Sequence, residues 1–297
     1  MYNEIDQEQI RRYERQCFKE LKLKENKNKL NINDNIDILY TKDYILQDYS
    51  NNGDSGNLIL AVNKNNILEK YIVKHAYYNS ACNEYIYSKV ANKLGISTPQ
   101  VKLFINNSNS NKLTSDFVCG IEYLDSIKQV KYNDLINNIE YVKTYYKMVI
   151  LELIFDQSDG IEYYEYNNKL YQLDNAETFG LDFYDISPLA YNFNKNGINI
   201  REFTIKRLMK KINNPMVNRV EWWRKRFEQL IDKYGEIFNH CLDEIISDFM
   251  NITEEEINEW IETVTIIYPD AIGEYYLNYF KTLKLDLSSI IENIKTR

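Results

Sequence analysis

The chain has 297 residues, 44% of them hydrophobic and 14% aromatic. That is enough to bury one large core, or two lobes sharing an interface, and too apolar for general disorder. A net charge of −8 repels duplex nucleic acid, and no DNA-binding motif is visible. The four cysteines, Cys17, Cys82, Cys119 and Cys241, lie far apart with no C-x-x-C pair. This excludes the usual zinc spacings and a disulfide scaffold, and it predicts reduced thiols in a cytoplasmic protein.

In chain order, residues 1–14 are charged and carry no apolar run of the signal-peptide kind, so no leader is expected. Residues 4–23 have helical spacing of Ile10, Cys17, Phe18 and Leu21, and the polar stretch 24–34 reads as a linker. Residues 58–62 and 71–74 are short apolar runs around Asn63-Lys64-Asn65-Asn66, which predicts a β-hairpin. Cys82, Tyr85, Ile86, Val90 and Leu94 then recur at three or four residues, a helix that should end at Gly95 ahead of Pro99. Residues 101–105 and 117–123 predict two further strands joined by a polar loop.

After Asp134 the period changes. Leu135, Ile139, Val142, Tyr146, Val149 and Leu153 form one apolar stripe, the signature of a long helix. The apolar run 148–155 is interrupted by Glu152 and far too short to span a bilayer. A second hairpin is expected around Asn167-Asn168, and residues from Arg201 onward read as helical. Thr253 with Glu256 predicts a capping box, and Pro269 a helix start or break. The basic residues Lys206, Arg207, Lys210, Lys211, Arg219, Arg224, Lys225 and Arg226 alternate with apolar ones, as on a solvated helix face. The fold class expected is therefore α+β. Residues 1–34 would be a helix and linker, 35–125 a β-rich lobe, and 126–297 a mostly helical lobe carrying one hairpin.

Several residue types in this order suit phosphoryl transfer, which needs donors around the phosphates, a cation on them and oxygens for Mg²⁺. Gly53 and Gly56, flanking Asp54 and Ser55 just before a strand, would let backbone amides approach phosphate. Lys74 ends a strand, and Glu84, near the start of the next helix, can fix it. Asp174 leaves a strand end as a good Mg²⁺ ligand. Asp156, Asp159 and Glu162 precede it by one hairpin. Taken singly, each of these is an ordinary loop or surface residue; their order is what points to a common chemistry.

The run from Lys74 through Asn83-Glu84 to Ala91-Asn92-Lys93-Leu94-Gly95-Ile96-Ser97-Thr98-Pro99 resembles the HipA-like serine/threonine kinases. In that family a strand lysine is followed by a helix that opens with Asn-Glu and closes with Leu-Gly-Ile and a proline. The resemblance covers roughly residues 45–180. It implies a two-lobed protein-kinase-like fold that uses ATP and Mg²⁺, with Lys74 on the α/β-phosphates and Glu84 paired to it. Gly53, Ser55 and Gly56 would cover the phosphates, and Glu122 and Tyr123 would lie at the adenine-binding hinge. Asp174 would hold the metal, with Glu162 near the family's metal-binding Asn. Asp156, directly after the apolar helix end, or Asp159 would be the base. The acceptor implied is a Ser or Thr of a protein, including Ser50 or Ser55 of the chain itself, and an antitoxin-like partner is compatible with it. The family's usual Asp-x-His-x-x-Asn is missing, since His75 and His240 lie elsewhere. The alternative is accordingly a pseudokinase or nucleotide-binding interaction protein.

Overall fold

The computed structural model describes residues 37–48, 58–64, 67–74, 78–107, 113, 117–157, 162–173, 178–179, 200–213, 221–268 and 270–295. Its elements are β1 (Ile38–Tyr40), a short 3-10 turn (Thr41–Asp43), β2 (Ile45–Asp48), β3 (Leu58–Lys64), β4 (Ile67–Lys74), α1 (Tyr78–Lys93), β5 (Val101–Ile105) and β6 (Phe117–Glu122). There follow β7 (Lys128–Gln129), α2 (Tyr132–Asn137), α3 (Ile139–Ile154), β8 (Glu162–Tyr166), β9 (Lys169–Leu173), α4 (Ile200–Asn213), α5 (Glu221–Asn251), α6 (Glu254–Ile267) and α7 (Asp270–Lys295). The protein is α+β, a β-rich N-terminal part followed by a mostly helical one, in the order expected. No helix among the described residues is long and apolar enough to cross a membrane.

The larger sheet has six strands in the order β1-β5-β6-β4-β3-β2. Only β1–β5 is parallel. The predicted hairpin is tighter than its polar run suggests, because the ladder continues to Lys64↔Ile67 and leaves two residues between the strands. Side chains alternate between two cores. Leu103, Ile105, Phe117 and Cys119 join the main core with α1, whereas Leu58, Leu60, Tyr71, Val73, Phe104 and Val118 form a smaller core on the opposite face. Gly120 lies under the Phe104 ring on the smaller core's face. A Cβ there would strike the Phe104 ring, which is why a side chain is missing from the middle of β6.

The motif that carries the family resemblance proves structural in its second half. Gly95 has φ +74°, and Gly95 N–H donates to Asn92 O (3.1 Å) while Ile96 N–H donates to Ala91 O (2.9 Å). This is a Schellman ending that favours glycine. Asn92 Nδ2 then reaches Ser88 O and Thr98 Oγ1, both at 2.9 Å, and Ser88 Oγ donates to Pro99 O (3.0 Å). Residues 88–99 thus form a self-satisfied polar turn that launches β5.

One expectation is corrected. The stripe from Leu135 to Leu153 is not one helix, because the chain breaks at Asn138. Asn138 Oδ1 accepts from Glu140 N–H (3.1 Å) and Tyr141 N–H (3.3 Å), an N-cap that starts α3 afresh. Ile139 accordingly leaves the stripe and is 40% exposed. The capping box at Thr253 and Glu256 is present. The hairpin turn at Asn167 (φ +50°) and Asn168 (φ +58°) has both residues left-handed, as a two-residue turn requires. The helix expected over 4–23 lies outside the described residues.

Candidate functional site

Four elements meet around a buried polar layer: α1, the end of α3, β9 and α7. On α1, Asn83 and Tyr87 are fully buried and Glu84 is 2% exposed. At the end of α3, Glu152, Asp156 and Gln157 are buried too. Gln172 of β9 joins them. Its Oε1 accepts from the Tyr87 hydroxyl (3.0 Å), its Nε2 donates to Gln157 Oε1 (3.2 Å), and its backbone N–H donates to Ser97 O (3.0 Å). One residue therefore ties the small hairpin to α1, to the turn after α3 and to the strand entry at 97. Gln172→Leu would remove both side-chain hydrogen bonds and leave the buried Tyr87 hydroxyl without its Gln172 acceptor, at about 1–3 kcal/mol. Urea unfolding is expected to show that loss, and a variant as stable as the wild type would contradict this bridging role.

The electrostatics follow from the same crowding. Burial pushes the Tyr87 hydroxyl well above its ordinary pKa, and the nearby carboxylates of Glu152 and Glu84 push it further, against the hydrogen bond to Gln172. Tyr87 therefore stays a neutral donor between two acidic side chains. The turn after α3 also has a defined geometry. Asp156 has φ +50°, and Gln157 N–H donates to Glu152 O (3.0 Å). This is the wide hydrogen bond of a Schellman ending, with an aspartate where glycine usually stands. Such a residue in left-handed geometry is retained only when the surroundings hold it there.

The sequence-predicted residues fall as follows. Lys74 is the last residue of β4. The register sets position 74 opposite Cys119, on the sheet face that packs α1; its side chain lies outside the described set. Glu162 pairs with Leu173 at one end of the hairpin ladder, the end that Gln172 ties to Gln157. The Glu162 side chain, Asp159, Asp174, Gly53, Ser55 and Gly56 lie outside the described residues. Among the described residues no group of three or more His, Cys, Asp or Glu side chains gathers as a metal site. At the end of β6, Glu122 N–H donates to Gln100 O (2.8 Å) and Tyr123 N–H to Lys70 O (2.9 Å). Both amides are committed within the protein, and a base docking against this segment would have to read its carbonyl oxygens.

One structural centre had no signal in the sequence. Asp37, 7% exposed, accepts from Lys102 Nζ (2.5 Å), Lys89 Nζ (2.6 Å) and the Tyr85 hydroxyl (2.8 Å), and so pins β1 and β5 to α1. Burial alone would raise the Asp37 pKa. The hydrogen bonds from Lys102, Lys89 and Tyr85 outweigh it and hold the carboxyl below its ordinary value of 3.8. A depressed folded-state pKa means stabilisation that is complete above that ordinary value and lost as pH falls through the folded one. Asp37→Asn should cost roughly 3 kcal/mol at neutral pH, as breaking a buried ion pair does. The gap to wild type should close only below pH 3.8. A gap that is absent at pH 7, or that closes between pH 7 and 5, would contradict the assignment.

No protein-family model matches the chain, and no curated protein matches it. Among solved structures it is similar to a proinflammatory kinase of Helicobacter pylori, CtkA. The TM-score is 0.49 at 12% identity, covering 85% of this chain and 95% of that one.

Proposed function

We propose that the protein is an ATP- and Mg²⁺-dependent kinase of the HipA-like type, transferring the γ-phosphate to a Ser or Thr of a protein. Ser50 and Ser55 of its own Gly-rich segment are among the acceptors. The observation that carries this reading is Glu84. It is a carboxylate 2% exposed, on the helix that follows the strand ending in Lys74. A buried carboxylate is stable only when hydrogen-bonded or paired with a cation. In this reading Lys74 is that cation, and Glu84 holds it toward the α/β-phosphates.

The donor set suits the nucleotide. Ile59, Ile72 and Ile121 are aligned across β3, β4 and β6 on the face that carries position 74, an apolar strip against which a base can lie. The base would meet the carbonyls of residues 122–123, and Gly53, Ser55 and Gly56 would cover the phosphates. Asp174 and Glu162 would hold Mg²⁺, and Asp156 or Asp159 would orient the acceptor hydroxyl. Bound metal neutralises charge on the β- and γ-phosphates.

Calorimetry with MgATP tests this. Binding is expected with Mg²⁺ present and should weaken when EDTA removes the metal or when Asp174→Asn removes its ligand. No heat of binding for MgATP would overturn the proposal. Binding without turnover would favour a pseudokinase, the reading that the missing Asp-x-His-x-x-Asn supports.

A further inference from the structure

Helix α7 carries three tyrosines, Tyr275, Tyr276 and Tyr279, each no more than 2% exposed. Each hydroxyl ends on a different part of the proposed site. Tyr275 donates to Phe179 O (2.6 Å), Tyr276 to Asn83 Oδ1 (2.5 Å) and Tyr279 to Ile154 O (2.9 Å). Asn83 is the neighbour of Glu84, Ile154 lies two residues before Asp156, and Phe179 lies five residues after Asp174. The three partners are 193, 125 and 96 residues away in sequence.

Packing alone does not call for these hydroxyls. The rings already lie against Phe179, at centroid distances of 5.1 Å for Tyr276 and 5.4 Å for Tyr279. Phenylalanine would fill the same space without the desolvation cost of a buried hydroxyl. That cost is visible at Tyr276, whose pKa burial pushes well above the ordinary value. What the hydroxyl adds over a phenyl ring is direction, since a hydrogen bond fixes relative position within a few tenths of an ångström. Phe179 itself is held in left-handed geometry, φ +61°, with its N–H bonded to Phe155 O at 2.5 Å. That again indicates surroundings that determine the backbone there.

We infer that α7 is the positioning element of the site: its three tyrosines clamp α1, the turn after α3 and the segment after Asp174 in fixed mutual register. This rests on the kinase reading for its consequence, in which Tyr276 acts through Asn83 on the placement of Glu84. Tyr275, Tyr276 and Tyr279 are positioning residues that touch no reacting atom.

The test uses Tyr275→Phe, Tyr276→Phe and Tyr279→Phe in the full chain. Tyr234→Phe is the control, because its hydroxyl donates to Ile136 O (3.0 Å) away from the site. Native-state hydrogen exchange and MgATP-dependent turnover are read on all four. Tyr276→Phe should lose protection first within residues 78–93, and Tyr279→Phe within 153–157. Turnover should fall by about 10²-fold, the cost of an ångström-scale misplacement, with KM for MgATP near the wild-type value. Tyr276→Phe combined with Asn83→Ala should be no worse than Asn83→Ala alone, since the contact that Tyr276→Phe breaks is already lost there. Uniform loss of protection in the three variants, or turnover equal to that of Tyr234→Phe, would overturn the clamp. If wild-type protein transfers no phosphate, the kinase reading falls. The exchange pattern then still decides the clamp, local loss supporting it and uniform loss refuting it.

Discussion

Lys74→Met is expected to reduce phosphoryl transfer by about 10²–10³-fold, the usual cost of removing one preorganised charge from a transition state. The same change should also cost stability. If Lys74 neutralises Glu84, its removal leaves a carboxylate 2% exposed without its cation, a situation worth about 3–5 kcal/mol. Glu84→Gln in the Lys74→Met background should recover part of that loss, because a neutral amide tolerates burial better. Glu84→Gln alone should weaken activity less than Lys74→Met, since the lysine remains even though its orientation is lost. The measurement is a double-mutant cycle in urea unfolding alongside single-turnover rates. Additive stabilities would show that the two side chains do not interact, and the Lys74 assignment would then fail with them.

Asp156→Asn is the second large effect, an expected loss of about 10²–10⁴-fold in turnover with MgATP binding kept, as for a positioned general base. The geometry of the turn allows a sharper comparison than this substitution alone. Asp156 stands in the left-handed position of a helix ending, φ +50°, where glycine is the favoured residue. Asp156→Gly should therefore gain up to about 1 kcal/mol in the backbone, set against the loss of the buried carboxylate's own contacts. If the carboxylate does chemistry, Asp156→Gly is folded and inactive. If Asp156 only caps α3, Asp156→Gly is folded and active, and Asp159 becomes the base. Asp174→Asn should differ from both by losing Mg²⁺-dependent nucleotide affinity together with turnover.

Much of the fold was legible because its signals are local. The α1 helix announced itself by periodicity and by Gly95, and the hairpin at Asn167-Asn168 by its turn residues. The break at Asn138 was masked because Leu135 and Val142 fit one helical stripe by coincidence of phase. The signal that reveals it is the capping asparagine, which periodicity does not register. Strands β1 and β7, three and two residues long, are too short for alternation to show, and their existence depends on partners far along the chain. The candidate site divides in the same way. Lys74, Glu84 and the acidic turn carry sequence-local cues. Gln172, Asp37 and Tyr276 were missed because their roles lie in contacts 85, 65 and 193 residues away, which leave no pattern in a single sequence.

The most direct measurement of the central claim is incubation of wild-type protein and Lys74→Met with γ-labelled ATP and Mg²⁺, followed by mass spectrometry of the chain. A kinase of the proposed kind should place label on a Ser or Thr, Ser50 or Ser55 foremost, in the wild type and not in Lys74→Met. Absence of label in both, with no ATP consumed in the presence of added protein acceptors, or equal label in both, would contradict the account.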